Sequence, residues 1–397
     1  MSTGHAAERR AAIRFERVDI VFGDRPERAL ALLDAGASRE EILARTGQVV
    51  GVAGATLAVG EGEICVLMGL SGSGKSTLLR AVNRLNPVTR GRVLVRDGET
   101  DVDVGRCDAA TLRRLRMRRI AMVFQQFALL PWRTVAENVA FGLELRGVPR
   151  QERERVVREK LALVHLEAWA DKRVSQLSGG MQQRVGLARA LATDADILLM
   201  DEPFSALDPL IRHRLQDELL ELQHRLGKTI LFVSHDLDEA LKLGSTIAIL
   251  EGGRIVQTGR PEDIVLAPAD DYVRSFVANV NPLNVLSLRA TMRPIDPSPG
   301  RIGLEDGLRV ETDAEGRLVA ACRGERPLAV VDDPARLVEG SGAVLAASDR
   351  ASVRLAIEAL AKTHLPLLVI DAERRLLGSV GVREVLAALG RRPVSST

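Results

Sequence analysis

Short apolar runs alternate with helix-prone segments in the N-terminal part of the chain. Ile64–Met68 is wholly apolar, and residues 76–83 contain good helix formers without a breaker. A second apolar run at 197–200 ends in Asp201 and Glu202, and a third covers 230–233. Runs of this length are typical of buried strands. Their alternation with helices predicts an α/β fold with a parallel sheet.

The C-terminal part has a different pattern. Helices are predicted at 352–362 and 382–389, and strands at 365–371 and 376–380. The stretch 283–332 is less regular, and only strands are predicted there, at 317–320 and 327–331. Pro and Gly concentrate at 291–303, which indicates a linker or loop. We therefore expect a second, smaller α+β domain after the first.

Length, charge and cysteine content limit the number of domains, the partners and the compartment that can be expected. A chain of 397 residues exceeds one ordinary core, so two or three domains are expected. The net charge is +2, and we expect no nucleic-acid partner because such proteins usually carry a larger basic excess. No apolar run is long enough to predict a membrane span. Cys65, Cys107 and Cys322 are too far apart for a metal or disulfide pattern, so a reducing cytoplasm is the expected compartment.

The segment 69–76 matches the phosphate-loop pattern G-x-x-x-x-G-K-[ST], between a predicted strand and a predicted helix. Its residues are Gly69, Leu70, Ser71, Gly72, Ser73, Gly74, Lys75 and Ser76. Backbone N–H groups and the helix dipole attract phosphate, Lys75 can reach the β- and γ-phosphates, and the Ser76 hydroxyl can bind Mg²⁺. The alternative is a Gly/Ser-rich connection with a chance lysine. The motif predicts nucleotide binding but no particular process.

Two further groups point to the same chemistry. Asp201 and Glu202 follow a strand, where Asp201 would lie near the Mg²⁺ and Glu202 could polarise a water. A solvated acidic turn is the alternative. Ser178, Gly179 and Gly180 begin a helix-prone stretch and leave backbone N–H groups open, but no lysine accompanies them. Such a half-site makes sense if it completes the site of another subunit.

Six motifs in this chain resemble those of the ATP-binding subunits of ABC transporters. In order they are the Walker A loop at 69–76, the Q-loop at 123–125, the signature at 178–182, the Walker B strand at 197–202, the D-loop at 205–208 and the switch histidine at 234–236. The resemblance covers roughly residues 12–270. One departure is Met181, where many members have Gln.

The resemblance implies a homodimer that clamps two ATP molecules head to tail. The implied catalytic residues are Glu202 as general base, with Gln125 and His235. The implied Mg²⁺ ligands are Ser76, Gln125 and Asp201. The implied nucleotide contacts are Phe22, the eight residues 69–76, Thr77, Ser178, Gly179, Gly180, Gln182 and Asp208. Phe22 would stack on adenine, and a core phenylalanine is its alternative.

A longer segment than usual separates Phe22 from Gly69, and it contains two helix-like stretches at 27–33 and 38–43. This insertion, about 24–50, resembles the corresponding segment in the ATP-binding subunits of importers of glycine betaine, proline betaine and choline. Residues 122–138 and 204–212 resemble the same family. The apolar patch Phe127, Leu129, Leu130 and Trp132 would contact a membrane permease, or would pack internally. Trp132-Arg133 departs from the family's frequent Pro-His.

The resemblance therefore implies a P-loop NTPase (ABC ATPase) domain at 1–276, with a helical subdomain at about 126–195. A CBS-like domain at 277–397 would follow, its first repeat degenerate, and would be regulatory or a vestigial packing domain. The expected function is ATP hydrolysis that drives import of a quaternary amine. The subunit would lie peripherally on the cytoplasmic face of the inner (plasma) membrane, with a substrate-binding protein acting indirectly. The alternatives are import of an amino acid such as histidine or proline, and a non-transport ABC ATPase.

Overall fold

The computed structural model describes residues 10–390 except 206, 279, 282, 284, 297, 298 and 339–341, with the backbone alone at 389–390. The chain divides into two compact units, Met1–Arg260 and Pro261–Thr397. The division falls earlier than the boundary predicted at 276/277, because Leu266 already packs against the core of the second unit. No helix in these described ranges combines the length and the apolar character needed to cross a bilayer.

A mostly parallel sheet lies at the centre of the first unit. In the described residues its strand order is β10-β9-β3-β8-β7-β6, and only the β9–β10 pair is antiparallel. The strands are β3 (Ile64–Met68), β6 (Ile120–Val123), β7 (Ile197–Asp201), β8 (Thr229–Val233), β9 (Thr246–Glu251) and β10 (Arg254–Gly259). Every residue of β3, β7 and β8 is buried, so both faces of the sheet are covered. The α/β prediction is confirmed.

An antiparallel sheet completes this unit, with the order β2-β1-β4-β5 in the described residues. Its strands are β1 (Ala11–Phe22), β2 (Val49–Gly60), β4 (Arg90–Asp97) and β5 (Thr100–Asp103). Phe15 of this sheet and Leu67 of the parallel sheet belong to one apolar core, together with Leu78 and Leu79. The core therefore fixes the phosphate-loop region between the two sheets.

Several helices of the first unit begin at side chains suited to capping. Ser38 and Thr134 form capping boxes, and Asp108, Ser178 and Asp208 also accept hydrogen bonds from the first turns that follow them. The helices are α1 (Pro26–Asp34), α2 (Arg39–Thr46), α3 (Lys75–Ala81), α4 (Ala109–Arg118), α5 (Val135–Leu145), α6 (Arg150–Leu163), α7 (Gly179–Ala192), α8 (Pro209–Leu226) and α9 (Leu237–Leu243). Helices α5, α6 and α7 pack on one another within the range predicted as a helical subdomain.

The second unit is α+β. Its elements are α10 (Pro261–Leu266), α11 (Asp271–Val277), α12 (Leu288–Thr291), β11 (Arg293–Pro294), β12 (Gly300–Gly303), β13 (Leu308–Thr312), β14 (Leu318–Arg323), β15 (Arg326–Val331), β16 (Ala343–Ser348), α13 (Val353–Thr363), β17 (Leu367–Ile370), β18 (Leu376–Val380) and α14 (Val382–Gly390). In the described residues the sheet order is β11-β18-β17-β16-β15-β14-β13-β12. The elements α13, β17, β18 and α14 lie where the helices and strands of one CBS-like repeat were predicted, and β16, which had not been placed, precedes them. Strands β12–β15 form an antiparallel meander.

Candidate functional site

Three of the predicted motifs meet at the carboxyl edge of the parallel sheet. Strand β8 lies between β3 and β7, with Leu67 opposite Val233 and Val233 opposite Asp201. The N–H of Glu202 donates to the Val233 carbonyl at 3.1 Å, and that of Ser234 donates to the Leu67 carbonyl at 3.2 Å. The residues that follow these strands are thereby brought together, as sites in open α/β sheets usually are.

The phosphate loop connects β3 to α3. Gly69 has φ 146°, and a Cβ there would lie 2.1 Å from the Leu250 carbonyl oxygen, so only glycine fits. Lys75 Nζ lies inside the loop and donates to the carbonyl oxygens of Gly69 and Leu70, both at 2.9 Å. Burial lowers the pKa of Lys75, and the nearby carboxylates of Glu202 and Asp201 oppose that shift. Its two carbonyl acceptors therefore hold the Lys75 amino group at the loop.

Asp201 is fully buried at the end of β7. Its Oδ1 accepts a hydrogen bond from Ser76 Oγ at 2.6 Å, and its Oδ2 pairs with Arg80 Nη2 at 2.8 Å. The pairing with Arg80 compensates the cost of burying a carboxylate. Arg80 had not been predicted as part of this site, because its spacing from Lys75 on α3 matches no motif.

Glu202 lies at the centre of three polar groups from three different segments. Gln125 Nε2 donates to Glu202 Oε2 at 3.2 Å, and His235 Nδ1 lies 3.3 Å from the same oxygen. Glu202 has φ 48°, which is unusual for a residue with a side chain. Gln183, which is buried on α7, donates to the Glu202 carbonyl oxygen at 3.4 Å. The three predicted catalytic side chains are therefore adjacent.

A buried network supports the segment that carries His235. Ser234 Oγ donates to Glu239 Oε2 at 2.6 Å, and Gln216 Nε2 donates to Glu239 Oε1 at 2.9 Å. The N–H of Asp236 donates to Ser234 Oγ at 2.9 Å. Burial raises the pKa of Glu239, while its two hydrogen-bond donors act in the opposite direction. This cluster fixes the backbone on both sides of the exposed His235.

The predicted signature begins helix α7, and Asp208, the last residue of the predicted D-loop, begins helix α8, whereas Ser205 of the D-loop donates to the Glu202 carbonyl oxygen at 3.0 Å. Ser178 caps α7 and accepts from the Met181 N–H at 3.4 Å, and Asp208 caps α8 and accepts from the Ile211 N–H at 3.1 Å. Gln182 Nε2 turns back to the Leu177 carbonyl at 3.1 Å. Ser178, Gly179 and Asp208 are exposed, and Gly180 is partly so. Ala206 of the predicted D-loop lies outside the described residues.

Phe22 lies at the end of β1 and is 40% exposed. A Cβ added at Gly51 would come within 2.7 Å of the Phe22 ring and 3.1 Å of Thr77 Cγ2. The ring therefore lies beside the first turn of α3, next to the phosphate loop. An exposed aromatic face at this place suits stacking on a flat base, and the ring is not a core residue.

The segment after Gln125 is held by two polar side chains, the partly buried Arg189 and the buried Asn138. Phe127 and Ala128 both have positive φ, and Arg189 donates to their carbonyl oxygens at 2.9 and 2.6 Å. Asn138 is fully buried and bonds both the N–H and the carbonyl oxygen of Leu130, at 2.8 and 3.1 Å. Burial lowers the pKa of Arg189. These hydrogen bonds join segments that are distant in the sequence, so local sequence patterns do not predict them.

The apolar patch in that segment is only partly open. Trp132 is 66% exposed, whereas Phe127, Leu129 and Leu130 are half-buried. Arg133 turns inward, because it pairs with Glu144 at 2.6 Å and lies over the Phe141 ring at 5.0 Å. Of the four residues predicted to contact a permease, Trp132 thus offers the largest exposed fraction.

Comparison with known proteins agrees with this geometry. The family described as ABC transporter matches residues 52–205. The dimeric structure of a bacterial ABC transporter cassette aligns at 30% identity and a TM-score of 0.54, covering 62% of this chain and 98% of that one. A second structure, a post-hydrolysis dimer bound to ADP and Pi, aligns at 30% identity and a TM-score of 0.53. Fold and site define an ATP-binding cassette of the ABC transporter class.

Two relatives that match a larger share of this chain identify the family within this class. The glycine betaine/proline betaine transport system ATP-binding protein ProV of Salmonella typhimurium is 44% identical over 389 residues, 94% of this chain and 96% of that protein. The glycine betaine transport ATP-binding protein OpuAA of Bacillus subtilis is 50% identical over 286 residues, 72% of this chain and 68% of that protein. The chain belongs to the family of ATP-binding subunits of glycine betaine/proline betaine ABC transport systems.

Proposed function

We propose that this chain is the ATP-hydrolysing subunit that powers import of a quaternary amine osmolyte, glycine betaine, proline betaine or choline, through a membrane permease. The observation that carries the proposal is the 44% identity to a glycine betaine/proline betaine transport subunit over 94% of this chain. That relative spans both structural units, so the similarity is not limited to the cassette.

ATP is clamped between two copies of the chain in this proposal. One copy supplies the loop 69–76, Thr77 and the exposed Phe22 ring. The second copy supplies the exposed start of α7 and the Asp208 end of α8, which include Ser178, Gly179, Gly180 and Gln182. Support comes from the dimeric state of the similar cassette structure and from the absence of a lysine at the α7 half-site. Each copy then carries half of each site.

The polar oxygens at the loop suit Mg²⁺. Ser76 Oγ and Asp201 Oδ1 are 2.6 Å apart, and hydroxyl and carboxylate oxygens are ligands that Mg²⁺ prefers. Arg80 occupies the other oxygen of Asp201, which leaves Oδ1 directed at Ser76. Gln125 would add an amide oxygen. The ion would neutralise charge that develops on the β- and γ-phosphates.

Hydrolysis uses the group around Glu202. The Glu202 carboxylate accepts a proton from the attacking water as general base. Gln125, which donates to that carboxylate, orients the water, and His235 stabilises charge on the γ-phosphate. Lys75 neutralises the β- and γ-phosphates from within the loop. The buried Ser234–Glu239 hydrogen bond holds the backbone beside His235.

Coupling to transport needs a contact with the permease, and we assign it to the patch of Phe127, Leu129, Leu130 and Trp132. Its support by Arg189 and Asn138 gives the patch a defined shape. The chain then lies peripherally on the cytoplasmic face of the inner (plasma) membrane, and a substrate-binding protein acts through the permease. The second unit is proposed to be a CBS-like regulatory domain.

Uptake measurements test the substrate. A strain that lacks this chain is assayed for uptake of labelled glycine betaine, choline and histidine, with the wild-type chain and Glu202→Gln as complementing variants. We expect uptake of a quaternary amine to fall on deletion, to return with the wild-type chain and to stay low with Glu202→Gln. Loss of histidine uptake alone would overturn the substrate assignment in favour of amino-acid import.

A further inference from the structure

One side chain of the α1–α2 insertion contacts the phosphate loop. Arg39 is the first residue of α2, and its Nη1 donates a hydrogen bond to the Gly72 carbonyl oxygen at 3.2 Å. We propose that Arg39 is a positioning residue that holds the phosphate loop in the conformation that binds the nucleotide's phosphates. The inference rests on the proposed ATPase function and adds a role for the insertion.

The contact acts through a peptide plane. The Gly72 carbonyl and the Ser73 N–H belong to one planar trans peptide and point in opposite directions. A hydrogen bond that holds the carbonyl therefore also directs the Ser73 N–H, which donates to the Leu70 carbonyl oxygen at 3.2 Å and closes a turn within the loop. A guanidinium makes a stronger bond to a carbonyl than a neutral donor does. Arg39 thus limits rotation of this peptide from outside the loop.

The start of α2 is itself well fixed. Ser38 Oγ accepts from the Glu41 N–H at 3.2 Å, and Glu41 Oε2 accepts from the Ser38 N–H at 2.8 Å, which together form a capping box. Arg39 directly follows this cap. Its backbone therefore has a defined position, and only the side-chain torsions remain to be ordered when the contact to Gly72 forms.

The insertion is anchored to the rest of the first unit by a small core and an ion pair. Ala29, Leu33 and Ile42 pack with Val21, Val50 and Ala53 of β1 and β2. Arg90 on β4 makes two bonds of 2.8 Å to Asp34 at the end of α1 and one of 2.7 Å to the buried Asp19 on β1. Bidentate pairing of this kind defines orientation. The insertion is therefore a platform that carries Arg39.

Loss of the contact should weaken nucleotide binding without slowing the chemical step. Arg39 contacts the loop's backbone at Gly72, whereas Glu202, Gln125 and His235 act from other segments. We expect Arg39→Ala to raise the Kd for MgADP and the KM for MgATP by about three- to tenfold, the range for loss of one ordinary hydrogen bond, because this contact is exposed. The kcat at saturating ATP should stay within about twofold of wild type, because an interaction that acts on binding alone leaves kcat unchanged.

The experiment uses the full chain. Binding of MgADP is measured by calorimetry, and kcat and KM for MgATP by phosphate release, for wild type, Arg39→Ala, Arg39→Met and Arg45→Ala. Arg39→Met keeps the aliphatic stem and removes the donor, so it replaces Arg39→Ala if the latter unfolds at a lower temperature. Arg45, exposed on the last turn of the same helix, is the matched control for loss of one positive charge.

Each outcome decides the inference. A higher Kd for Arg39→Met with Arg45→Ala near wild type supports it. A Kd for Arg39→Met within about twofold of wild type overturns it, and so does an equal loss in Arg45→Ala, which would indicate a general charge effect. A wild-type chain that binds no MgADP would instead refute the proposed ATPase function, so the two failures are distinguishable.

Discussion

Replacing Glu202 with glutamine tests the assignment of the general base directly. The change keeps the size of the side chain and an acceptor oxygen for Gln125 Nε2, now 3.2 Å from Glu202 Oε2. The backbone N–H of residue 202 still donates to the Val233 carbonyl. The fold and the ATP contacts of the loop should therefore persist, while the group that accepts the proton from water is removed.

The expected loss follows from the role of the group. A positioned general base contributes about 10²- to 10⁴-fold to a rate. At about 1.36 kcal/mol per tenfold, this corresponds to about 3 to 5 kcal/mol in the activation barrier. Binding of ATP should be retained, so that Glu202→Gln accumulates an ATP-bound dimer that hydrolyses very slowly.

The assays are phosphate release and gel filtration of the full chain with and without MgATP. Glu221→Gln, an exposed carboxylate on α8, is the matched control and should hydrolyse ATP like wild type. Hydrolysis by Glu202→Gln within about tenfold of wild type would refute the general-base assignment. Loss of hydrolysis without a dimer in MgATP would refute the two-copy clamp.

Three further predictions concern other parts of the chain. Phe22→Ala should raise the Kd for ATP about tenfold because base stacking is lost, whereas Phe22→Tyr should keep the wild-type Kd. Equal Kd values for wild type and both variants, measured by calorimetry, would exclude stacking. Trp132→Ala should lower betaine uptake several-fold while the ATPase rate of the isolated chain stays within about twofold; unchanged uptake would exclude it from the permease contact. Burial raises the pKa of Glu239 above its ordinary value of 4.5, so between the unfolded and the folded pKa the folded chain binds more protons than the unfolded chain. The free energy of unfolding therefore falls as the pH rises through this range. Glu239→Gln removes the titrating carboxyl group, so the Tm of the variant relative to wild type should increase from pH 4 to pH 8. A Tm difference that stays constant over this range would contradict the prediction.

Much of the site could be predicted because its motifs are local. The phosphate loop, the Asp201-Glu202 pair and the Ser234-His235 segment each follow a short apolar strand, and parallel strands bring their carboxyl ends to one edge. The insertion helices were also predictable, since Ser38 and the acids after it mark a helix start. These features depend on residues only a few positions apart.

Other parts of the site depend on contacts between distant segments. Arg80 pairs with Asp201, Arg189 bonds the carbonyls of Phe127 and Ala128, and Arg39 bonds the loop at Gly72. An arginine at these positions has no local pattern that sets it apart from a solvated one. The inward turn of Arg133 and the half-burial of Phe127 were equally unpredictable, because packing of α5 and α7 decides them.

The sequence by itself determined the class of chemistry, because the glycine, lysine and hydroxyl spacings within the loop 69–76 are those of a phosphate-binding loop. It also determined the α/β order through apolar runs that cannot remain in water. Only the tertiary structure decided which side chains support those groups. A buried polar atom is stabilised by a hydrogen-bond partner, and that partner comes from whichever segment the fold places nearby. The phosphate loop is thus a local motif whose shape is maintained by Arg39 of the insertion, 33 residues before Gly72 in the sequence.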